Sequence, residues 1–186
     1  MDRVVFLDRD GTINIEKNYL YRPEDFEFIS GAVHAIKLLN DNGFKIVVVT
    51  NQAGVARGYY TEEDVKKLHN YIDECLREYG AHIDTYIYCP HHPENGIGKY
   101  RCRCSCRKPA TGMFEKAADV YDIDMKQSWM VGDNVGDMES GKKFGLKTIL
   151  VSTGYGEKVM AENKVPFDYY KKDLHEAAEY IVKVSG

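Results

Sequence analysis

Apolar, mostly β-branched residues occur along this chain in short runs in which polar residues do not alternate with them. Such runs are typical of strands that are covered on both faces in a parallel sheet. The predicted strands are residues 4–7, 45–50, 85–88, 128–131 and 147–151. Between the runs, apolar residues recur at helical spacing, with polar residues on the opposite face. The predicted helices are residues 31–41, 61–79, 112–121, 135–144 and 172–183.

The alternation of strands and helices predicts an α/β fold with a parallel sheet and right-handed crossovers. Ligands bind such sheets at the carboxyl ends of the strands, so the residues directly after each apolar run are the candidates for chemistry. Helix 61–79 has its own start signal, because Thr61 can cap it with Asp64 at the third helical position. No repeat or linker interrupts the pattern, and we expect one domain over residues 1–186.

The composition excludes some classes of function. The 186 residues include 25 basic and 29 acidic side chains, a formal net charge of −4, which gives no general attraction to nucleic acid or to an anionic membrane. No apolar run approaches the ~18 residues that cross a bilayer. The first residues also lack a charged segment followed by an apolar stretch, so we expect a cytoplasmic protein.

Two carboxylates follow the first predicted strand. Asp8 and Asp10 are two residues apart, and extended residues at this spacing face the same side of the chain. Together they could hold Mg²⁺, or one could attack phosphorus while the other moves the proton. The alternative is an Asp-Gly turn in which Asp8 caps a helix.

Further groups suited to phosphoryl transfer follow later in the chain. The hydroxyl of Thr50 could donate to a phosphoryl oxygen, and Lys108 could neutralise its negative charge. Asp133 and Asp137 stand four residues apart at a predicted helix start, where both could face one metal ion. Each of these residues has a simpler explanation. Thr50 could belong to a capped turn, Lys108 to an exposed basic pair, and the two aspartates could suit the dipole of the helix. Those explanations do not account for all of them occurring in this order.

The cysteines are crowded, since four of the five lie in a loop of about residues 89–107. An odd count in a chain with no export signal argues against a disulfide framework and favours metal ligation. The predicted ligands, a closed structural zinc site, are Cys89, His91, Cys104 and Cys106. His92 and Cys102 are further candidates, and free surface thiols are the alternative.

The motifs DxDGT, a threonine, a lysine and GDxxxD, in this order along the chain, resemble the haloacid-dehalogenase superfamily of phosphotransferases. The resemblance implies a three-layer α/β/α fold in which Asp8 is the nucleophile and Asp10 the general acid and base. Thr50 and Lys108 would stabilise the phosphoryl group. Asp8, the backbone carbonyl of Asp10 and Asp133 would bind Mg²⁺. The intervals between the motifs are too short for a separate cap domain, so we expect an open site.

Longer motifs narrow the resemblance. DRDGTIN, TNQAGVARG, and CPHHP followed by CxCRKP resemble the D-glycero-D-manno-heptose 1,7-bisphosphate 7-phosphatases. The resemblance implies a small sugar bisphosphate that loses its C7 phosphate, catalytic Mg²⁺ and structural Zn²⁺. The residues that it places at the substrate are Arg9, Glu16, Lys17, Asn18, Tyr19, Asn51, Gln52, Ala53, Arg57, Arg107 and Asn134. Members of that family commonly carry a basic residue where this chain has Asn134, which leaves one positive charge fewer for a second phosphate.

Two other functions remain open at the level of the sequence. Histidinol-phosphate phosphatases share a zinc loop of this kind, but a substrate with one phosphate has little need of Arg107. A zinc-stabilised nucleic-acid binder is suggested by the basic residues around the loop, which are Lys99, Arg101, Arg103, Arg107 and Lys108. The net charge of −4 and the lack of a reading helix oppose it. We expect a monomer that binds neither nucleic acid nor membrane.

Overall fold

A six-stranded sheet lies at the centre of the computed structural model, which describes residues 1–186. Its strands are β1 (Val4–Leu7), β2 (Lys45–Asn51), β3 (Thr85–Cys89), β4 (Trp129–Gly132), β5 (Lys147–Val151) and β6 (Tyr169–Lys171). The strand order is β3-β2-β1-β4-β5-β6, and every adjacent pair is parallel. The order reverses beside β1, because the chain first adds strands on one side and then crosses to the other. Ligands of open α/β sheets bind at this switch point.

Seven helices connect or flank the strands. They are α1 (Ala32–Asp41), α2 (Ala53–Ala56), α3 (Glu62–Arg77), α4 (Gly112–Ala118), α5 (Val135–Phe144), α6 (Gly156–Glu162) and α7 (Leu174–Ser185). Helix α3 begins as predicted, since the Thr61 side chain accepts from the Asp64 backbone N–H and the Asp64 side chain accepts from that of Thr61. No helix has the length and apolar character that crossing a membrane requires.

The sheet separates two hydrophobic cores, and β1 contributes to both. Val5 and Leu7 belong to a cluster of 24 buried residues that includes the inner faces of α1, α3 and α7. Val4 and Phe6 point to the other face, into a cluster of 11 buried residues with α4. Side chains of successive strand residues alternate between faces, so a strand with helices on both sides must be apolar throughout. The expected three-layer α/β/α fold is confirmed.

The five predicted strands and five predicted helices are all present, with ends that shift by a few residues. Three elements were not predicted. Helix α2 has only four residues, too few to show a period. Strand β6 is a three-residue edge strand whose first two side chains are exposed, and α6 begins in the segment after Tyr155 that carries no motif. Short, exposed elements leave little hydrophobic pattern in a sequence.

Candidate active site

A cavity of about 330 Å³ opens at the carboxyl edge of the sheet, beside the switch point. The four predicted catalytic side chains line it, although up to a hundred positions separate them in the sequence. They are Asp8, Asp10, Thr50 and Lys108. Asp133 and Asp137 line the same cavity. Parallel strands bring their carboxyl ends to one edge, so motifs that follow separate strands become neighbours.

The carboxylate of Asp10 is held by three side chains. Nη2 of Arg9 donates to both of its oxygens, at 3.1 and 2.9 Å. Nδ2 of Asn14 donates to Oδ1 at 3.0 Å, and Nε2 of Gln52 donates to Oδ2 at 3.0 Å. The Tyr60 hydroxyl in turn donates to Oε1 of Gln52 at 2.6 Å, which fixes the orientation of that amide. The position of Asp10 at the cavity wall is therefore set by contacts on more than one side.

Lys108 is buried beneath the cavity, and all three of its N–H donors have acceptors. Its Nζ donates to Oδ1 of Asp8 at 2.9 Å, to Oδ1 of Asp137 at 2.6 Å and to the carbonyl of Val49 at 2.7 Å. Its backbone is clamped by Asn51, whose side chain accepts from the Lys108 N–H at 3.0 Å and donates to the Lys108 carbonyl at 3.1 Å. Asp8 lines the cavity, and its second oxygen takes no part in these contacts.

The turn from β4 into α5 places two further carboxylates at the site. Asn134 caps α5, and Asp137 accepts from the Asn134 backbone N–H at 3.0 Å, which directs Asp137 inward. Asp133 lies against Gly11 and Gly154, where φ is 86° and 58°. A Cβ atom on either glycine would overlap a carboxylate oxygen of Asp133. Only glycine lets the two loops approach this carboxylate so closely.

The buried charges of the site do not balance within the protein. Oxygens of Asp8, Asp133 and Asp137 lie within 4.8 Å of one another, and Lys108 is the one ammonium that contacts them. Burial and the Asp137 charge raise the pKa of Asp8 to about 7. Burial and the Asp8 charge likewise raise the pKa of Asp133. Burial opposes the charge of Lys108, but Asp137 and Asp8 outweigh it and raise the pKa of the ammonium. Oxygen ligands with an excess of negative charge fit a divalent hard cation.

The four predicted zinc ligands also come together. The Sγ atom of Cys106 lies 2.9 Å from that of Cys89 and 3.4 Å from that of Cys104, and Nδ1 of His91 lies 3.4 Å from Cys106. Hydrogen bonding with Cys89 lowers the pKa of the Cys106 thiol to about 5, and the thiolate is the form that binds metal. Cys102 lies outside this group. His92 does as well, and its Nδ1 accepts two backbone hydrogen bonds instead. The cluster could hold a metal ion.

Comparison with known proteins places this site in a family. A family model described as HAD-hydrolase-like matches residues 105–177. The D-glycero-beta-D-manno-heptose-1,7-bisphosphate 7-phosphatase of Haemophilus ducreyi is 43% identical over 181 residues, which are 96% of this chain and 98% of the relative. The chain belongs to the D-glycero-D-manno-heptose 1,7-bisphosphate 7-phosphatase family.

Other relatives of this heptose bisphosphatase family agree with that assignment. The D-glycero-alpha-D-manno-heptose-1,7-bisphosphate 7-phosphatase of Photorhabdus laumondii is 42% identical over 164 residues, covering 88% of this chain and 90% of the relative. The crystal structure of D,D-heptose 1,7-bisphosphate phosphatase from B. bronchiseptica, complexed with magnesium and phosphate, superposes with a TM-score of 0.88 at 30% identity. The match covers 98% of this chain and 99% of that one. The resemblance noted in the sequence is confirmed.

Most of the residues that the family resemblance placed at the substrate line the cavity or an adjoining one of about 240 Å³. They are Glu16, Asn18, Tyr19, Asn51, Gln52, Ala53, Arg107 and Asn134. Glu16 accepts from the Asn18 backbone N–H at 2.7 Å, while burial and the nearby Asp10 raise its pKa. Asn18 and Tyr19 have φ values of 51° and 60°, so the loop turns sharply where it borders the cavity.

Three residues of that set are not among the residues that line either cavity. The side chain of Arg9 is wholly buried, and it donates to Asp10 and to the carbonyl of Leu20. Residues next to each other in extended chain face opposite sides, so Arg9 points away from a site that Asp8 and Asp10 share. Lys17 points outward instead, and its Nζ donates to the carbonyl of Asp25 at 2.8 Å.

Arg57 is the third of these residues, and its guanidinium lies 5.7 Å from the ring centroid of Tyr19. Two residues at this site were not predicted from the sequence. Tyr155 lines both cavities, and Nε2 of His69 lies 3.3 Å from Nη1 of Arg9. No motif contains either residue, and only the folded chain brings them to the site.

Proposed function

We propose that this chain removes the C7 phosphate from D-glycero-D-manno-heptose 1,7-bisphosphate in a Mg²⁺-dependent reaction through an aspartyl-phosphate. The observation that carries the proposal is the arrangement of Asp8 and Asp10 on one cavity. Asp8 lines the cavity, with one oxygen bound to Lys108 and the other free of hydrogen bonds within the protein, and a nucleophile requires such a free oxygen. Asp10 stands beside it, held in place by Arg9 and Gln52.

In the first step, the free oxygen of Asp8 attacks phosphorus, and the bond between phosphorus and the C7 oxygen breaks. Protonated Asp10 gives its proton to the departing alkoxide. In the second step, the Asp10 carboxylate takes a proton from a water molecule that attacks phosphorus. The bond between phosphorus and Asp8 then breaks, which releases inorganic phosphate and restores both carboxyl groups. Lys108 and Thr50 supply donors for the phosphoryl oxygens.

Mg²⁺ fits the carboxylate cluster because three carboxylates face one ammonium there. Asp8, Asp133 and the backbone carbonyl of Asp10 would hold it, with Asp137 supporting the arrangement. Bound Mg²⁺ neutralises charge on the phosphoryl oxygens and on Asp8. The solved relative from B. bronchiseptica carries magnesium and phosphate, which supports the same cofactor in this chain.

Arg107 is suited to the second phosphate of the substrate. It lines both the catalytic cavity and the adjoining one, and its Nη1 contacts the carbonyl of His91 at a long 3.4 Å. The remaining donors of its guanidinium can form paired hydrogen bonds with phosphate oxygens. Asn134, also at the cavity wall, offers an amide and no charge.

We propose Zn²⁺ for the Cys89, His91, Cys104 and Cys106 cluster, since four such ligands close a tetrahedral site and leave no position for catalysis. Its role would be structural. The loop of residues 90–105 has little apolar burial of its own, and the metal would fix the chain directly before Arg107. Clustered cysteines that stay reduced and bind metal are typical of a reducing compartment. The proposal therefore includes the cytoplasm, together with a monomer folded as one domain over residues 1–186.

The experiment is phosphate release from the α and β anomers of heptose 1,7-bisphosphate and from histidinol phosphate, each with Mg²⁺ and with EDTA. We expect fast, Mg²⁺-dependent release of one phosphate from at least one heptose anomer. Detection of heptose 1-phosphate as the product would establish that the C7 position reacts. Preference for histidinol phosphate would overturn the proposed substrate and keep the mechanism.

Variants test the chemistry separately. Asp8→Asn removes the nucleophile, so we expect turnover to fall by at least about 10³-fold while the circular dichroism spectrum is retained. Asp119→Asn, an exposed residue at the end of α4, is the matched control. Full activity of Asp8→Asn would show that another group attacks phosphorus.

A further inference from the structure

Tyr155 lies where three cavities adjoin. Besides the cavities of about 330 and 240 Å³, a third of about 410 Å³ borders the same corner of the molecule. Glu16 and Tyr155 are the two residues that line all three. Tyr155 is also the one aromatic residue at the wall of the catalytic cavity. A ligand that extends from Asp8 into either adjoining cavity therefore has Tyr155 at its border.

The ring of Tyr155 has a free face, unlike the rings of Tyr19 and Tyr60 in the adjoining cavity of about 240 Å³. Tyr19 packs edge-on against Tyr59, with ring centroids 4.9 Å apart, and Tyr60 stacks on Tyr21, with ring centroids 5.2 Å apart. Tyr155 makes no aromatic or cation contact of this kind within the chain, and its hydroxyl makes no hydrogen bond within it, although 43% of the residue is exposed. Large exposed rings beside a polar cavity are typical of ligand contacts.

The backbone of Tyr155 is fixed by contacts that do not involve its ring. Its N–H donates to Oδ2 of Asp133 at 2.8 Å. Two residues earlier, the Thr153 hydroxyl donates to the carbonyl of Gly11 at 2.7 Å. Between them, Gly154 sits so close to Asp133 that no side chain fits. The attachment point of the ring is therefore set relative to Asp133, and removal of the ring leaves these backbone contacts in place.

We propose that the ring of Tyr155 is the surface on which the sugar ring of the substrate packs. The inference rests on the proposed function, in which one phosphate lies at Asp8 and the other at Arg107, so that the sugar spans the wall between them. An aromatic face matches the apolar C–H face of a sugar ring. The carboxylate of Glu16, on the same corner, accepts hydrogen bonds from the sugar hydroxyls.

The test compares two substrates that differ in the sugar. Heptose 1,7-bisphosphate has the ring, while acetyl phosphate has only the phosphoryl group and a small leaving group. For Tyr155→Ala we expect kcat/KM for the heptose substrate, divided by that for acetyl phosphate, to fall about tenfold, chiefly through KM. Tyr155→Phe keeps the ring and should stay within about twofold of the wild-type ratio. Tyr79→Ala, an exposed tyrosine after α3, is the matched control.

The outcomes separate this inference from the function on which it rests. An unchanged ratio in Tyr155→Ala would overturn the sugar contact and leave the phosphatase assignment intact. Equal losses in Tyr155→Phe and Tyr155→Ala would assign the effect to the hydroxyl and overturn packing on the ring. If the wild-type protein hydrolyses acetyl phosphate and neither heptose anomer, the proposed substrate is wrong and the sugar contact falls with it.

Discussion

The neutral, buried imidazole of His69 makes the stability of the fold depend on pH in a way that can be calculated. His69 is 5% exposed, stacks on Tyr86 with ring centroids 4.3 Å apart, and contacts the guanidinium of Arg9. Burial and the Arg9 charge lower its pKa to about 3. The unfolded chain, with a pKa of about 6.5 for this group, therefore takes up a proton at a higher pH than the folded protein does.

Because the pKa in the folded state is depressed, the stability contribution is present above about pH 6.5 and is lost as the pH falls towards about 3. One pKa unit corresponds to about 1.4 kcal/mol, so acidification from about pH 8 to about pH 5 costs the wild-type protein about 2 kcal/mol through this residue. His69→Gln has no titrating group there and escapes the loss. The difference in free energy of unfolding between wild type and His69→Gln should therefore shrink by about 2 kcal/mol over that range.

The assay is urea denaturation of both proteins at several pH values, followed by far-ultraviolet circular dichroism. His34→Gln, which removes an exposed imidazole on α1, is the matched control for the loss of a histidine as such. Other titrating groups act equally on wild type and variant, so the difference isolates His69. A difference that stays constant from about pH 8 to about pH 5 would refute the reasoning, because the imidazole would then ionise equally in both states.

Three further predictions follow from the buried charges and the thiol cluster. Mg²⁺ should raise the Tm more at about pH 8 than at about pH 6. Asp8 has a pKa of about 7 and keeps its proton at the lower pH, so Mg²⁺ must displace that proton before it can bind. Equal increases in Tm at the two pH values would contradict this prediction. Lys108→Met leaves the Asp8 and Asp137 carboxylates buried without their cation, so the free energy of unfolding, measured by urea denaturation, should fall by about 3–5 kcal/mol. A fall of less than about 1 kcal/mol would show that the ion pairs contribute little to stability. Cys104→Ser should lower both bound zinc, measured by mass spectrometry, and the Tm, whereas Cys75→Ser on α3 should leave the zinc content unchanged.

The central strands could be predicted because burial on both faces demands apolar residues at every position. Phe6 and Val48 are wholly buried on opposite sides of the sheet, and each lies in an unbroken apolar run. Strand β6 differs because Tyr169 and Tyr170 are exposed at the sheet edge. An edge strand that is partly solvated needs no apolar run, so its sequence does not distinguish it from a loop.

The meeting of Asp8, Thr50 and Asp133 could be predicted because they stand at the carboxyl ends of β1, β2 and β4, and parallel strands end at one edge. Side chains that reach the site from elsewhere carry no such signal. His69 lies in the middle of α3, on the apolar face of the helix. From the sequence, a histidine at such a position does not differ from one that only fills the core. The direction of Arg9 was foreseeable, since the alternation that puts Asp8 and Asp10 on one side puts Arg9 on the other.

Lys108 links the stability of the fold to the chemistry of the site. Its three donors are bound by Asp8 after β1, Val49 in β2 and Asp137 in α5, so an arriving phosphoryl oxygen can receive a hydrogen bond only if one of these contacts gives way. In the proposed mechanism the contact to Asp8 is the one that would weaken, because Asp8 would lose its negative charge on becoming bonded to phosphorus. We infer that the ammonium then turns to the phosphoryl oxygen while Asp137 and Val49 keep it in place. Lys108→Met should accordingly lower turnover as well as stability, since one group performs both tasks.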